Sequence, residues 1–374
     1  MAFSSTIDSA LSRHQKTINS AIRHAVMKVS KAETHSGVVN LQPYYGQMQY
    51  HLGWVDEHFS PAASNPGKLL RPTLLLLSYE VAGAWGLAEE KPCRSDYLRR
   101  ALPAAVSVEL THNFTLIHDD IEDGDVERRH RPTLWKIWGI PQSINAGDGL
   151  FALSRLVLWE VLDEGVEGTI AARLGRILDH SCLTLSEGQY LDISFEQRDD
   201  ISVSMYLDMI SRKTAVLMSC ATEMGAILGT RDQETIDRLR SFGSTIGIAF
   251  QIRDDLLGVW ATKAELGKTQ AGDIYRRKKS LPVLYALEHA DIGDQQLLRN
   301  IYQQDLPITS KEVDDVLAVF TRTRAREYCC TVLARQCQRA RQVLSEVQPN
   351  AGPISVHALG DMEALVHFLE DTSP

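Results

Sequence analysis

The sequence predicts an all-α fold, and two observations carry that expectation. Long stretches place apolar residues three and four apart, as in LRRALPAAVSVELTHNFTLIHDDIED and RLRSFGSTIGIAFQIRDDLLGVW, which is the period of one helix face. Glycine and proline fall mostly between these stretches, in the loop at 61–67, at Pro132, Pro141, Gly165, Gly168, Gly229, Gly267 and Gly272, where they separate helices. Strand signals are weak nearly everywhere. No repeat of fixed period and no low-complexity linker divides the chain. The expected organisation is a polar, helix-prone extension over residues 1–40 and a single helical domain over 41–374.

Bulk properties exclude several classes. The 374 residues are 44% hydrophobic and 23% charged, an ordinary globular balance. A formal charge of −9 argues against nonspecific nucleic-acid binding, which needs a basic surface. No run of about 18 apolar residues exists, so no transmembrane segment is expected. The start of the chain lacks the basic, apolar, small-residue order of a secretory leader, and the six cysteines form no CxxC pair. Both point to a cytoplasmic protein with reduced thiols.

Two groups of carboxylates stand in apolar helical sequence. In LIHDDIEDGD, Asp119 and Asp123 are i and i+4 on one helix face, with Asp120 one step around. In AFQIRDDLLGVW, Asp254 and Asp255 are adjacent. Ionised carboxylates in such surroundings are costly unless a cation compensates them. Donors that are oxygen alone favour a hard ion, Mg²⁺ over Zn²⁺. Mg²⁺ held by few carboxylates usually takes phosphate oxygens as further ligands, and the chain supplies matching cations. These are Lys68 and Arg71 in GKLLRP, Arg128 and Arg129 in ERRHRPT, Lys213 beside Thr214 in SRKTAVL, and Lys268 and Lys278 after the second acidic group.

Together these residues resemble the trans-prenyl diphosphate synthases, the farnesyl and geranylgeranyl diphosphate synthase family. The resemblance runs through GKLLRP, DDIED followed by RR, NAGD at 145–148, EGQYLD at 187–192, KTA at 213–215, FQIRDD at 250–255 and GK…GD…KKSLP at 267–282. It implies an isoprenoid synthase-type helical bundle around a deep central cavity, usually in a homodimer, with the two aspartate-rich helices facing across its mouth. It further implies three Mg²⁺ ions, two on Asp119 and Asp123 with Asp120 in support, and a third on Asp254 assisted by Asp255. Arg128, Lys213, Gln251 and Lys268 are the implied allylic diphosphate site. Lys68, Arg71, His112 and Arg129 are the implied isopentenyl diphosphate site, and Gln189 and Asp192 the groups behind the metal waters. The chain departs from the pattern at Gly258, where many relatives carry a third aspartate, and at His130, where the usual residue is glycine.

The implied reaction is ionisation of the allylic diphosphate, attack by the isopentenyl double bond, and loss of a proton. Lys213, Thr214 and Gln251 are the expected catalytic residues, steadying the allylic cation through their dipoles. Product length is expected to depend on Phe114 and Thr115, upstream of Asp119 on the same helix. In the family resembled, one aromatic with a short spacer, here Ile121–Glu122, goes with geranylgeranyl diphosphate, which is therefore the expected product, with farnesyl diphosphate as the alternative. A terpene cyclase and a non-catalytic partner subunit are the rival readings. The cyclase has little use for a second diphosphate site, and the partner subunit typically lacks the first acidic motif, which is intact here.

Overall fold

A computed structural model describes residues 2–33, 39–62, 67–84, 96–196, 198–261, 271–304, 306–348 and 352–371. It is helical almost throughout. Two compact units emerge, one formed by Met1–His180, Cys220–Asp237 and Pro349–Asp361, the other by Ser181–Ser219, Arg238–Gln348 and Met362–Pro374. The periodic stretches are helices, and several prolines sit in first turns, where their missing N–H costs nothing: Pro103, Pro141 and Pro282 all do so.

The first unit contains α1 (Ala2–Glu33), α2 (Gln42–His51), α3 (Leu70–Val81), α4 (Leu102–Glu122), α5 (Leu134–Trp138) and α6 (Ile140–Trp159), followed by the first part of α7 (Gly168–Glu196). Helix α4 is its centre and packs on α6, α3 and α1. Leu74, Leu75 and Leu76 of α3, Val108 and Leu110 of α4 and Leu150 of α6 are all fully buried. Each such side chain contributes roughly 1.5–3 kcal/mol of transfer free energy. Between α4 and α5 lies a short antiparallel pair, β1 (Glu127–Arg128) and β2 (Arg131–Pro132). Apart from an isolated bridge between Val55 and Pro61, it is the only strand pairing among the described residues. Its turn residues Arg129 and His130 both have positive φ, +52° and +61°, as a two-residue hairpin with type I′ twist requires.

Ile18, Ile22 and Val26 put an apolar stripe of α1 into the first unit, against α3 and α4. A buried carboxylate fixes the same helix at its other end. Glu80, 1% exposed, accepts hydrogen bonds from Arg13 and from the Tyr97 hydroxyl (2.5 Å), with His14 Nε2 3.2 Å away. Arg13 also reaches Asp361 at 3.2 Å, and the Ser355 hydroxyl donates to the Glu80 carbonyl at 2.7 Å.

The second unit holds the last part of α7, α8 (Val203–Ile210), a π-helical turn (Ser211–Ala215), the start of α9 (Val216–Gly229) and most of α10 (Gln233–Trp260). Then follow α11 (Gly272–Tyr275), α12 (Leu281–His289), α13 (Ile292–Gln303), α14 (Ser310–Thr323), α15 (Ala325–Glu346) and the end of α16 (Pro353–Glu370). Helix α12 lies against α8, α13, α14 and α15. Local chemistry sets the starts of these helices: Ser202 caps α8, and Thr309 with Glu312 forms a reciprocal capping box on α14. No described helix is long and apolar enough to cross a membrane.

Removing one partner of a buried ion cluster strands the others. Glu80→Ala is therefore expected to cost about 3–5 kcal/mol in urea unfolding. A loss below about 0.5 kcal/mol, the size of an ordinary surface change, would contradict this account of how α1 is held.

Candidate active site

The first acidic motif ends α4. Asp119 is partly buried in the last turn, and Asp123 is exposed at the C-cap, its N–H donating to the Asp119 carbonyl at 2.8 Å. The two carboxylates therefore leave the helix one turn apart, as the i, i+4 spacing requires. Asp120 turns inward and is buried, accepting from Arg128 Nε at 2.7 Å. Burial, partly offset by Arg128, pushes its carboxyl up to about 6.

Deeper on α4 a cluster of cations surrounds a buried acid. Arg71 Nη1 lies 3.1 Å from His112 Nε2. A guanidinium only donates, so Nε2 is the acceptor and the imidazole proton resides on Nδ1. Burial, then Arg71, Arg129 and Arg128, hold the His112 pKa well below its usual range, so the ring is neutral. One turn before it, Glu109 is 3% exposed and accepts from Asn113 Nδ2 at 3.0 Å. Burial pushes this carboxyl up to about 7, against the opposing pull of Arg71 and Arg129. Arg71, His112 and Arg129 thus converge in the first unit, while Lys68 is exposed just before α3. His51 joins them, its pKa also held down by burial and by Arg129 and Arg128.

Phe114 is half-buried, with its ring centroid 5.0 Å from that of Phe151 and 5.8 Å from that of His118. Thr115 is buried and donates to the His112 carbonyl at 2.8 Å. From the NAGD segment, Asp148 lies 3.6 Å from His118 Nε2.

The second unit holds the remaining site residues. Lys213 and Thr214 occupy the π turn, a geometry frequent at functional sites. Glycines let neighbouring helices press against it. A Cβ on Gly188 of α7 would meet the Arg212 carbonyl carbon at 2.7 Å, and one on Gly247 of α10 would meet Ala215 Cβ at 2.8 Å. Lys213 Nζ pairs with Asp192 at 2.5 Å, and Gln189 is buried on the same helix as Asp192. The Thr214 hydroxyl donates to Gln251 Oε1 at 2.9 Å, and Gln251 Nε2 donates to Asp255 Oδ1 at 3.1 Å, which fixes the orientation of the amide.

The adjacent acids of the second motif differ sharply. Asp254 is exposed. Asp255 is 0% exposed and receives the Tyr206 hydroxyl, Gln251, the Leu281 N–H (3.3 Å) and Lys278 Nζ (3.5 Å). Burial alone would lower the Lys278 pKa, but Asp255, Asp273, Asp192 and Asp254 together raise it above the ordinary lysine range. At Gly258, where the third aspartate of many relatives is missing, a Cβ would collide with the Asp273 carboxylate, whose Oδ1 lies 2.8 Å from that position. An acid from the GD segment occupies the space. Lys268 lies outside the described residues.

Glu109, Tyr206 and Asp273 were not singled out from sequence. Glu109 had a usable signal, a lone acid one turn before His112 in apolar AVSVELT. Tyr206 had none. Among the described residues no three His, Cys, Asp or Glu side chains converge as a ready ligand shell.

Residues 53–320 match the polyprenyl synthetase family. A geranylgeranyl diphosphate synthase of Mycobacterium tuberculosis is 38% identical over 278 residues, covering 74% of this chain and 75% of its own. A (2E,6E)-farnesyl diphosphate synthase of Mycobacterium bovis is 38% identical over 250 residues, covering 67% and 65%. The crystal structure of a polyprenyl synthetase from Streptomyces coelicolor A3(2) aligns with a TM-score of 0.82 at 34% identity, over 97% of this chain and 99% of that one. The motifs, the all-α fold and these likenesses agree: the chain belongs to the polyprenyl synthetase family.

Proposed function

We propose that the chain is a short-chain trans-prenyl diphosphate synthase, condensing isopentenyl diphosphate with an allylic diphosphate to give geranylgeranyl diphosphate. The observation that carries this reading is the layout of α4. Its end presents Asp119 and Asp123, and about two turns before Asp119 His112 lies with Arg71 and Arg129 in a separate cationic cluster. An enzyme with one diphosphate substrate needs only one anion site. Two anion sites beside one helix suit a reaction that joins two diphosphates.

The donors fit a hard divalent cation. Asp119, Asp123 and Asp254 offer carboxylate oxygen alone, and too few to complete a shell, so phosphate oxygens and water would supply the remainder. On this reading Asp119, Asp123 and Asp254 would hold three Mg²⁺ ions, which would supply neutralisation of the diphosphate charge. Asp120 and Asp255 take a different part. Asp120 aims Arg128, and the buried Asp255 orients Gln251 and Lys278.

Arg128, held by Asp120, and Lys213, held by Asp192, bind the allylic diphosphate together with Lys268. Lys68, Arg71, Arg129 and the Nδ1–H of His112 bind isopentenyl diphosphate. The allylic C–O bond breaks with its electron pair leaving on diphosphate, and the isopentenyl double bond attacks the resulting cation. Thr214 and Gln251 direct oxygen dipoles at that cation. The proton released from the isopentenyl unit passes to the departed diphosphate, which restores the double bond. Holding both substrates in register supplies much of the rate. A homodimer is part of the proposal, supported by the exposed Ile140, Ile144, Leu156 and Trp159 along α6, an apolar face that a second copy would cover.

Asp119→Ala and Asp254→Ala should each lower condensation by at least about a hundredfold with the circular dichroism spectrum unchanged. Full turnover in both, measured with labelled isopentenyl diphosphate, would sink the assignment. Glu109 gives a pH test. Below about 7 its carboxyl is protonated and leaves Arg71 and Arg129 to the diphosphate; above that value the carboxylate competes for them. Relative to a Glu109→Gln variant, the wild-type KM for isopentenyl diphosphate should rise about tenfold as pH passes through that range, the worth of one charge-assisted hydrogen bond. Parallel pH profiles for the two proteins would remove Glu109 from this role.

A further inference from the structure

We propose that Arg155 is a second, charged stop for the growing chain, one level below Phe114. The inference rests on the reading that the product extends along α4 away from Asp119. At 1.5 Å per residue, Phe114 lies about 7.5 Å and Thr111 about 12 Å from Asp119 along that helix. At the upper level the rings of Phe114 and Phe151 meet edge to face. At the lower level the guanidinium of Arg155, one turn beyond Phe151 on α6, lies 4.5 Å from the centre of the Phe151 ring. Its Nη1 is 3.4 Å from the hydroxyl of fully buried Thr111 and 3.2 Å from that of Ser154, and its Nε is 2.7 Å from Asp179 on α7.

Arg155 is thus a cation in the apolar run GLFALSRLVLW, with a side chain only 18% exposed, tethered on both sides. A phenylalanine ring stops an alkyl tail by bulk alone, and truncating it removes the stop. A guanidinium stops it by charge as well: to pass it, the tail must strip its partners and leave a cation against hydrocarbon. The two levels are separated by about 4.5 Å, roughly the reach of one isoprene unit. Phe114 therefore sets the normal length, and Arg155 limits the extension when Phe114 is removed.

The test is the product length made from labelled isopentenyl diphosphate and a farnesyl primer, resolved by chromatography. Phe114→Ala should lengthen the product by one isoprene unit and no more. Phe114→Ala with Arg155→Leu should add at least one further unit, and Phe114→Ala with Arg155→Lys should return to the limit of the single variant. Phe114→Ala with Asp179→Ala, which removes the acceptor that holds the guanidinium without changing α6, should shift the limit the same way as the leucine change and serves if the leucine variant does not fold. If both double variants stop where Phe114→Ala stops, Arg155 is not a floor. If Phe114→Ala itself changes nothing, the path along α4 is wrong, a separate failure.

Discussion

Charge held away from water must be answered by charge of the opposite sign, and that requirement shapes this protein more than any other. Each acid that turns into a helix interior meets its own donor: Asp120 meets Arg128, Asp255 meets Tyr206, Gln251 and Lys278, and Glu80 meets Arg13 and Tyr97. Asp123 and Asp254 are exposed and Asp119 is only partly buried, so these three remain accessible to a cation. Burial thus sorts chemically identical side chains into those that aim other groups and those left open to the cations proposed for them. Carboxylates orient the proposed diphosphate-binding cations in the same way, since Arg128 and Lys213 are each held by one.

Much of this was legible in the sequence because the helix period is regular. The spacing of Asp119 and Asp123 gave both the helix and the shared face, whereas the role proposed for His112 came from the resemblance alone. Asp254 and Asp255 show where such reading stops. Neighbours on a helix point about 100° apart, so one acid faces water and the other the interior, and only packing decides which. Tyr206 binds Asp255 from another helix, a contact that no local pattern announces. The expected boundary at residue 40 followed from the polar look of α1. Its stripe of Ile18, Ile22 and Val26, at four-residue spacing, is the feature that places it in the first unit.

Backbone irregularities cluster at residues of the proposed site. The π turn that carries Lys213 and Thr214 is pressed by two glycines, and the hairpin that presents Arg128 and Arg129 tolerates left-handed Arg129 and His130. A left-handed non-glycine residue costs roughly 1–2 kcal/mol. His130, in the position glycine favours, therefore trades some stability for a turn that projects two guanidiniums. The missing acid at Gly258 follows similar logic, because Asp273 fills that space with its own carboxylate.

The decisive measurement is anomalous diffraction from crystals grown with Mn²⁺ and an unreactive thiolo analogue of farnesyl diphosphate. If carboxylates from both aspartate motifs act on one leaving group, manganese peaks will touch Asp119, Asp123 and Asp254, and all will share oxygens of a single diphosphate. Peaks that sit on the two motifs separately, with the analogue bound to neither, would contradict the account at its root.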